Sequence, residues 1–451
     1  MAELRRLWSR PTVAAEWDEE HEERSAQWWE LFLDLVIVAA VANVADGLKE
    51  TLEGTPGAEV RVGISVFDFI MEFSLFFTGW LEYTLHTTRF LDTSFLHSLL
   101  LFGFFLGTSG MVVNAGTSEA YRGFAIGVIF QRLALMVMTL VVYMLLPRGR
   151  HQALVDAGHM LPTIIILSFA LCFNASDVVF QVLLGISATY EVIFPLMEHL
   201  GHLSTRSGVP INKDHIQERL GCMLMVILGE SVMSSVMSYH KVSHKPSAYY
   251  SGMALTLTIT FAVAVMYFAV VPPKEFSAFR RSTITGVSLV VAHWVLFLSL
   301  TALGVGIKLY IAVILERDED ILLDAPCYLI LFISLGIAIG SMLVMRLLHW
   351  WGRQPAPSDP IYIRRAKYIW WFGLVISTPL PWIVASITIG RHPQGVEPFG
   401  ALWQAVGCIF GAVVFESTML HWLDAQGFGS FIDAPLNEAS PLLSNTSPVG
   451  G

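Results

Sequence analysis

WWELFLDLVIVAAVANVADGL, residues 28–48, decides the class of this protein. Its only ionisable residues are Glu30, Asp34 and Asp46, and its length matches the roughly 20 apolar residues a helix needs to cross a bilayer. Such a run spans as a helix because, away from water, the backbone must satisfy its own hydrogen bonds. Comparable runs recur near residues 63–84, 94–116, 121–146, 155–173, 177–199, 215–238, 248–271, 284–314, 325–347, 366–388 and 399–421. The fifth is the least regular, with Pro162 inside it and only residues 174–176 before the next. The links are short, so the chain reads as all-α: a polytopic membrane helix bundle of about 12 transmembrane helices at residues 28–422, between an acidic tail (1–27) and a disordered tail (423–451).

Composition agrees. Of 451 residues, 54% are hydrophobic and 14% charged, and the mean hydropathy is +0.60. A soluble protein carries about 25% charged residues. That excludes a soluble globular enzyme, and a disordered chain would be less apolar and more charged. Cys172, Cys222, Cys327 and Cys408 lie in apolar stretches and read as small core residues rather than as a disulfide framework. A net charge of −10 provides no basic footprint for nucleic acid. The opening MAELRRLWSR lacks a signal-peptide core, so the first span is expected to remain as an anchor. Alternate segments hold sixteen Lys and Arg against seven, which predicts cytoplasmic amino and carboxyl termini. Trp28, Trp29, Trp350, Trp351 and Trp422 fall where interfacial aromatic belts belong. The acidic cluster Glu16, Asp18, Glu19, Glu20, Glu22 and Glu23 reads as a solvated stretch. Glu438 followed by Leu442 and Leu443 resembles an acidic dileucine sorting signal, so the expected location is the plasma membrane or an endolysosomal or vacuolar membrane.

An ionisable side chain at mid-membrane costs about 2.5–3.5 kcal/mol on insertion scales, so each one calls for a partner or a watery path. Glu30 and Asp34 share one face of the first span, and Asp68 and Glu72 repeat the spacing on the second. Arg132 and Glu230 lie near the middle of spans four and seven, and Glu191, His293 and Glu416 lie within spans six, nine and twelve. On span seven, His215, Arg219, Cys222, Val226 and Glu230 form one stripe. Arg219 and Glu230 are about three turns apart on it and must find partners on other helices. The sequence suggests Arg132 as the partner of Glu230 or Glu72. A second group, His199 and His202 facing His215 and Glu218, has the donor types for zinc or iron, with ordinary polar helix ends as the simpler explanation. Pro379 and Pro381 predict a broken helix in span eleven, which is either a kink or an ion site.

Residues 30–36, ELFLDLV, following Trp28 and Trp29, resemble the opening signature of the low temperature requirement A family, multi-pass membrane proteins of bacteria and fungi. Further matches come in family order. Trp80, Tyr83, Arg89, Phe90 and Asp92 are similar to its W…Y…RF-x-D segment, followed by Tyr121, Arg122 and Arg132. HIQERLGCMLMVILGES, residues 215–231, resembles its H-x-x-ER-x-G…GE block, and Ala292 and His293, with Gly304, Gly306 and Lys308, its later helix. The likeness covers roughly residues 25–425. The chain departs from the pattern at Thr93 and Ser94, where a second acidic residue is expected, and at His97, where an Arg often stands. The resemblance implies a fold and a topology but no reaction. It points to Arg89, Asp92, His215, Glu218 and His293 besides the charges already chosen.

Two classes of function follow. The first is a proton- or cation-coupled transporter or channel using Glu30, Asp34, Glu72 and Glu230 with Arg132 and Arg219 as counter-charges, since carboxylates spread through membrane depth suit a relay. A major facilitator scheme is disfavoured, because no long loop separates spans six and seven and loop 85–93, LHTTRFLDT, lacks a Gly-Asp-Arg pattern. The alternative is a metal-dependent intramembrane enzyme on a lipid or prenyl substrate, or a noncatalytic scaffold or sensor. No catalytic residue is assigned, and the balance is against an enzyme. Oligomeric state is not legible.

Overall fold

A computed structural model describes residues 11–13, 27–53, 59–117, 120–200, 209–237, 247–272, 276–315, 322–350, 355 and 359–428, without the side chains of 59–61 and 195–200. Among these residues the chain forms fourteen α-helices: α1 (Trp28–Leu52), α2 (Glu59–Arg89), α3 (Phe95–Asn114), α4 (Tyr121–Leu145), α5 (Arg150–Cys172), α6 (Asp177–Leu200), α7 (Lys213–Met237), α8 (Ser247–Val270), the short α9 (Ala278–Arg281), α10 (Thr283–Leu315), α11 (Ala325–Trp350), α12 (Ile361–Ser377), α13 (Leu380–Arg391) and α14 (Pro398–Ala425). A two-residue antiparallel ribbon, β1 (Thr12–Val13) with β2 (Phe90–Leu91), ties the amino-terminal segment to the end of α2.

Among the described residues eleven helices are long and apolar enough to cross a membrane, and α12 with α13 passes the same test as a pair bent by 42° at its break, a broken twelfth span or a re-entrant loop. The expected bundle stands, including the fifth span, where α5 runs through Pro162. The bend falls at Thr378 and Pro379, where the proline pair Pro379 and Pro381 was expected to break the helix. The acidic stretch before residue 27 and the dileucine at 442–443 lie outside the described residues.

Polarity runs opposite to that of a soluble protein. Phe173 and Phe261 are 69% exposed and Trp403 63%, whereas Arg132 and Arg219 are wholly buried. The outer surface is apolar because it faces hydrocarbon, and polar groups are gathered inside where they can pair. Cys172 departs from the core reading, being exposed at the end of α5, while Cys408 is buried. The long α10 packs on α1, α7, α8 and α11, and α1 packs on α2, α3 and α7, so α1, α2, α7 and α10 meet at the centre of the bundle.

Candidate functional site

The first cluster joins the starts of α1 and α7 to the end of α2. Glu30 opens α1 in a capping box with Gln27, accepting from the Gln27 amide at 2.8 Å. Its other oxygen accepts from Thr87 Oγ1 at 2.7 Å and lies 3.0 Å from His215 Nε2. One turn on, Asp34 receives both terminal nitrogens of Arg219 at 2.7 Å, a bidentate pair, and Trp80 Nε1 at 2.9 Å. Arg219 also donates to the Glu30 carbonyl at 3.2 Å and stands 5.6 Å from the centre of the Trp80 ring. Glu30, Asp34, Trp80, Thr87, His215 and Arg219 are all buried, and only Gln27 is exposed. The residues on the Glu30 and Asp34 face and on the α7 stripe are therefore direct partners, which sequence spacing alone did not reveal.

The second cluster joins α2, α4, α5 and α6. Arg132 does not reach Glu230 or Glu72. It pairs with Glu191, Nη2 to Oε2 at 2.6 Å and Nε to Oε1 at 3.1 Å, and its Nε lies 3.5 Å from Glu82. Thr78 and Thr163 donate to Glu191 at 2.6 and 2.9 Å. Arg132 spends its remaining donors on Gln131, Thr78 and the Leu75 carbonyl. Glu82 also meets His159 Nε2 at 2.8 Å, and that ring stacks on Phe194. Gly79 makes the close approach feasible, because a Cβ there would overlap the Arg132 guanidinium and the Gln131 amide. The expected pairing failed because depth along two helices does not determine which helices are neighbours. Glu82 and His159 were missed, although each interrupts an apolar run.

Toward the opposite ends of α1, α7 and α10, Lys308 bridges Glu230 and Asp46, 2.8 Å from each. Asp46 is half exposed and Glu230 buried. Glu72, also buried, accepts from the Gly116 amide at 2.9 Å. Gly116 has φ +76°, a left-handed conformation that glycine adopts without a Cβ penalty. Asp68 accepts from Tyr121 and Gln181, both at 2.7 Å. Lys308 stood in the family-like motif without a role, and a lone lysine in an apolar helix was the signal that could have found it.

Between the Asp34–Arg219 pair and the Glu230–Lys308 group lies a layer formed by Ile37, Val41, Val44, Phe73, Phe76, Phe77 and Met223, enclosing a void of only about 10 Å³. Beside Asp34, a groove of about 970 Å³ opens between α1, α7 and α8.

The remaining candidates serve at helix ends or elsewhere in the core. Arg89 holds Asp156 at 3.0 and 3.1 Å. Asp92 accepts from the Ser94 amide at 2.8 Å, and Ser94 caps α3 by accepting from the His97 amide at 3.1 Å, so two of the departing positions form the cap itself. His293 sits between the Leu289 carbonyl at 2.8 Å and Tyr267 Oη at 3.1 Å. Arg346 pairs with Glu416. For the metal expectation, His215 turns inward to Glu30 while Glu218 is exposed on the groove wall. The His199 side chain and His202 lie outside the described residues, within which no three His, Cys, Asp or Glu side chains form a metal-sized group.

The sequence profile of the family described as bacterial low temperature requirement A protein (LtrA) matches residues 25–392. No curated protein matches the chain. A match over that span, which holds both charge clusters, shows that the chain belongs to this family of multi-pass membrane proteins.

Proposed function

We propose that this low temperature requirement A family protein is a proton- or cation-coupled membrane transporter whose two gates are the Asp34–Arg219 pair and the Glu230–Lys308 pair. The observation that carries this reading is layering. Paired charges stand at two depths of the same four-helix centre, with a tightly packed apolar layer between them. A continuous wire of carboxylates would leak, whereas two ionic layers around an apolar plug suit a carrier that opens to one side at a time. Each carboxylate must give up its cationic partner to take a proton or cation, and Asp34 borders the open groove from which one would arrive. Glu30 and His215 hold the start of α1 to α7 beside this gate.

A noncatalytic scaffold is the second reading, favoured by one observation: the buried Arg132–Glu191 pair is saturated with hydrogen bonds, as a fixed structural joint would be. Flux separates the two. Purified protein in liposomes is assayed for proton and cation movement beside Asp34→Asn and Glu230→Gln. The transporter reading expects flux in the wild type and, in each variant, a fall to the level of protein-free liposomes. Absence of flux in the wild type, or unchanged flux in both variants, contradicts it.

A further inference from the structure

Among the described residues the buried carboxylates are Glu30, Asp34, Glu72, Glu191, Glu230 and Glu416. Glu30 meets His215, Asp34 meets Arg219, Glu191 meets Arg132, Glu230 meets Lys308 and Glu416 meets Arg346. Glu72, 3% exposed, has the Gly116 amide on one oxygen and no described basic group beside it. The helices packed on α2 are α1, α4, α6, α7 and α10, and the described cations at this end of them are engaged elsewhere. Lys49 holds Glu53, and Lys308 bridges Asp46 and Glu230. Arg122 lies beside Asp177 and donates to Asn174 and the Ala175 carbonyl. The titratable neighbours bring no positive charge either: Asp68 one turn earlier on α2, and Tyr121 at the start of α4, which donates to Asp68.

We propose that Glu72 is a proton-binding site, occupied at neutral pH, with Asp68 as the ionised neighbour that keeps the proton on it. A carboxylate taken out of water without a counter-charge is stabilised far more cheaply by a proton than by one neutral hydrogen bond. Two carboxyl groups one helical turn apart also favour a single negative charge between them. That charge belongs on Asp68, which is half-buried and has a donor on each oxygen, Tyr121 and Gln181. Gly116 cannot move to offer Glu72 more, because its backbone packs on Gly47, where a Cβ would overlap it. A proton fits better than a metal ion. The Gly116, Tyr121 and Gln181 donors turn hydrogens toward the carboxyl groups, and no third described His, Cys, Asp or Glu joins the two. Phe73, the next residue, belongs to the apolar layer, and Gly47 follows Asp46, so the site lies where that layer meets the Glu230–Lys308 gate. It deepens the proposed function by naming the ion as a proton, and rests on that reading for the coupling alone. Protonation is read without flux, so the two fail separately.

Infrared spectroscopy reads the proton directly, because a carboxylic acid has a C=O stretch that a carboxylate lacks. The full chain in phosphatidylcholine liposomes is titrated with pH as wild type, Glu72→Gln and Asp68→Asn. The wild type should show a protonated carboxyl at neutral pH that is absent from Glu72→Gln. The Gln amide reproduces the shape of the neutral acid, so this variant should melt like the wild type. In Asp68→Asn the band should titrate about one pH unit lower, because a like charge no longer opposes ionisation. Absence of the band from the wild type at neutral pH, or its persistence in Glu72→Gln, overturns the site and leaves Glu72 as an anchor for the Gly116 turn. An unmoved titration in Asp68→Asn overturns the pairing, a result that stands even where Glu72→Gln fails to fold. Loss of the wild-type band when choline chloride is replaced by sodium chloride gives the site to a metal ion instead. In the liposome assay, unchanged flux in Glu72→Gln overturns the coupling role. The band in a wild type without flux supports the proton site and contradicts the transporter.

Discussion

Arg132 and Arg219 are both wholly buried and each faces a carboxylate on another helix, yet their surroundings differ. Within the Arg132–Glu191 pair the hydrogen bonding is closed: both Glu191 oxygens and all three guanidinium nitrogens have partners, contributed by α2, α4, α5 and α6, and the unsatisfied atoms of this cluster, both Glu82 oxygens and His159 Nδ1, lie beside the pair rather than in it. Around Arg219, Nε has no acceptor, and the carboxylate it holds forms part of a groove wall. The charge pair is the same and the consequence is not. A pair walled in on every side fixes which helices pack together, and one beside open space can exchange its partner. The α4–α6 joint therefore reads as the frame, and the α1–α7 joint as the part that moves.

The comparison breaks first at Glu191. Removing one member of a closed buried pair leaves the other charge stranded, at about 3–5 kcal/mol. Glu191→Gln should lose most of its folded yield and melt far below wild type, read by size exclusion after graded heating. Asp34→Asn, beside the groove, should lose less. The reverse order would assign the frame to the wrong pair. Gly79→Ala comes next, at about 1–2 kcal/mol, because its methyl crowds Arg132 and Gln131 in the closed cluster. A melt like that of wild type would mean the joint has slack. Smallest is Lys49→Ala, which removes the exposed i,i+4 pair with Glu53 and should shift stability by at most about 0.5 kcal/mol. A larger shift would show that exposed pairs carry weight here too.

The spans were legible because a bilayer imposes a length, and the bend between α12 and α13 because Pro379 and Pro381 cannot continue a helix. The faces were legible as well. Glu30 and Asp34 share a side of α1, and His215 and Arg219 share a side of α7, as helical spacing requires. Partnership was not. Arg219 and Glu230 lie on one stripe but pair with α1 and α10, and Arg132, at the right depth for Glu230, found Glu191 instead. Periodicity fixes the direction of a side chain relative to its own helix, and only packing decides what stands opposite. His215 shows the same limit, since three residues from Glu218 it points into the bundle while Glu218 stands exposed on the groove wall.

Whether the α1–α7 joint moves while the α4–α6 joint holds can be measured as two distances. With the four native cysteines replaced, spin labels at Leu35 and Met225 report on α1 and α7, and labels at Phe130 and Ile186 on α4 and α6; all four positions are exposed, so labels there leave the core intact. In proteoliposomes, double electron–electron resonance should give two populations for the 35–225 pair, exchanging in weight as the pH is changed, and one narrow, unmoving distance for the 130–186 pair. A single fixed distance in both would contradict the account.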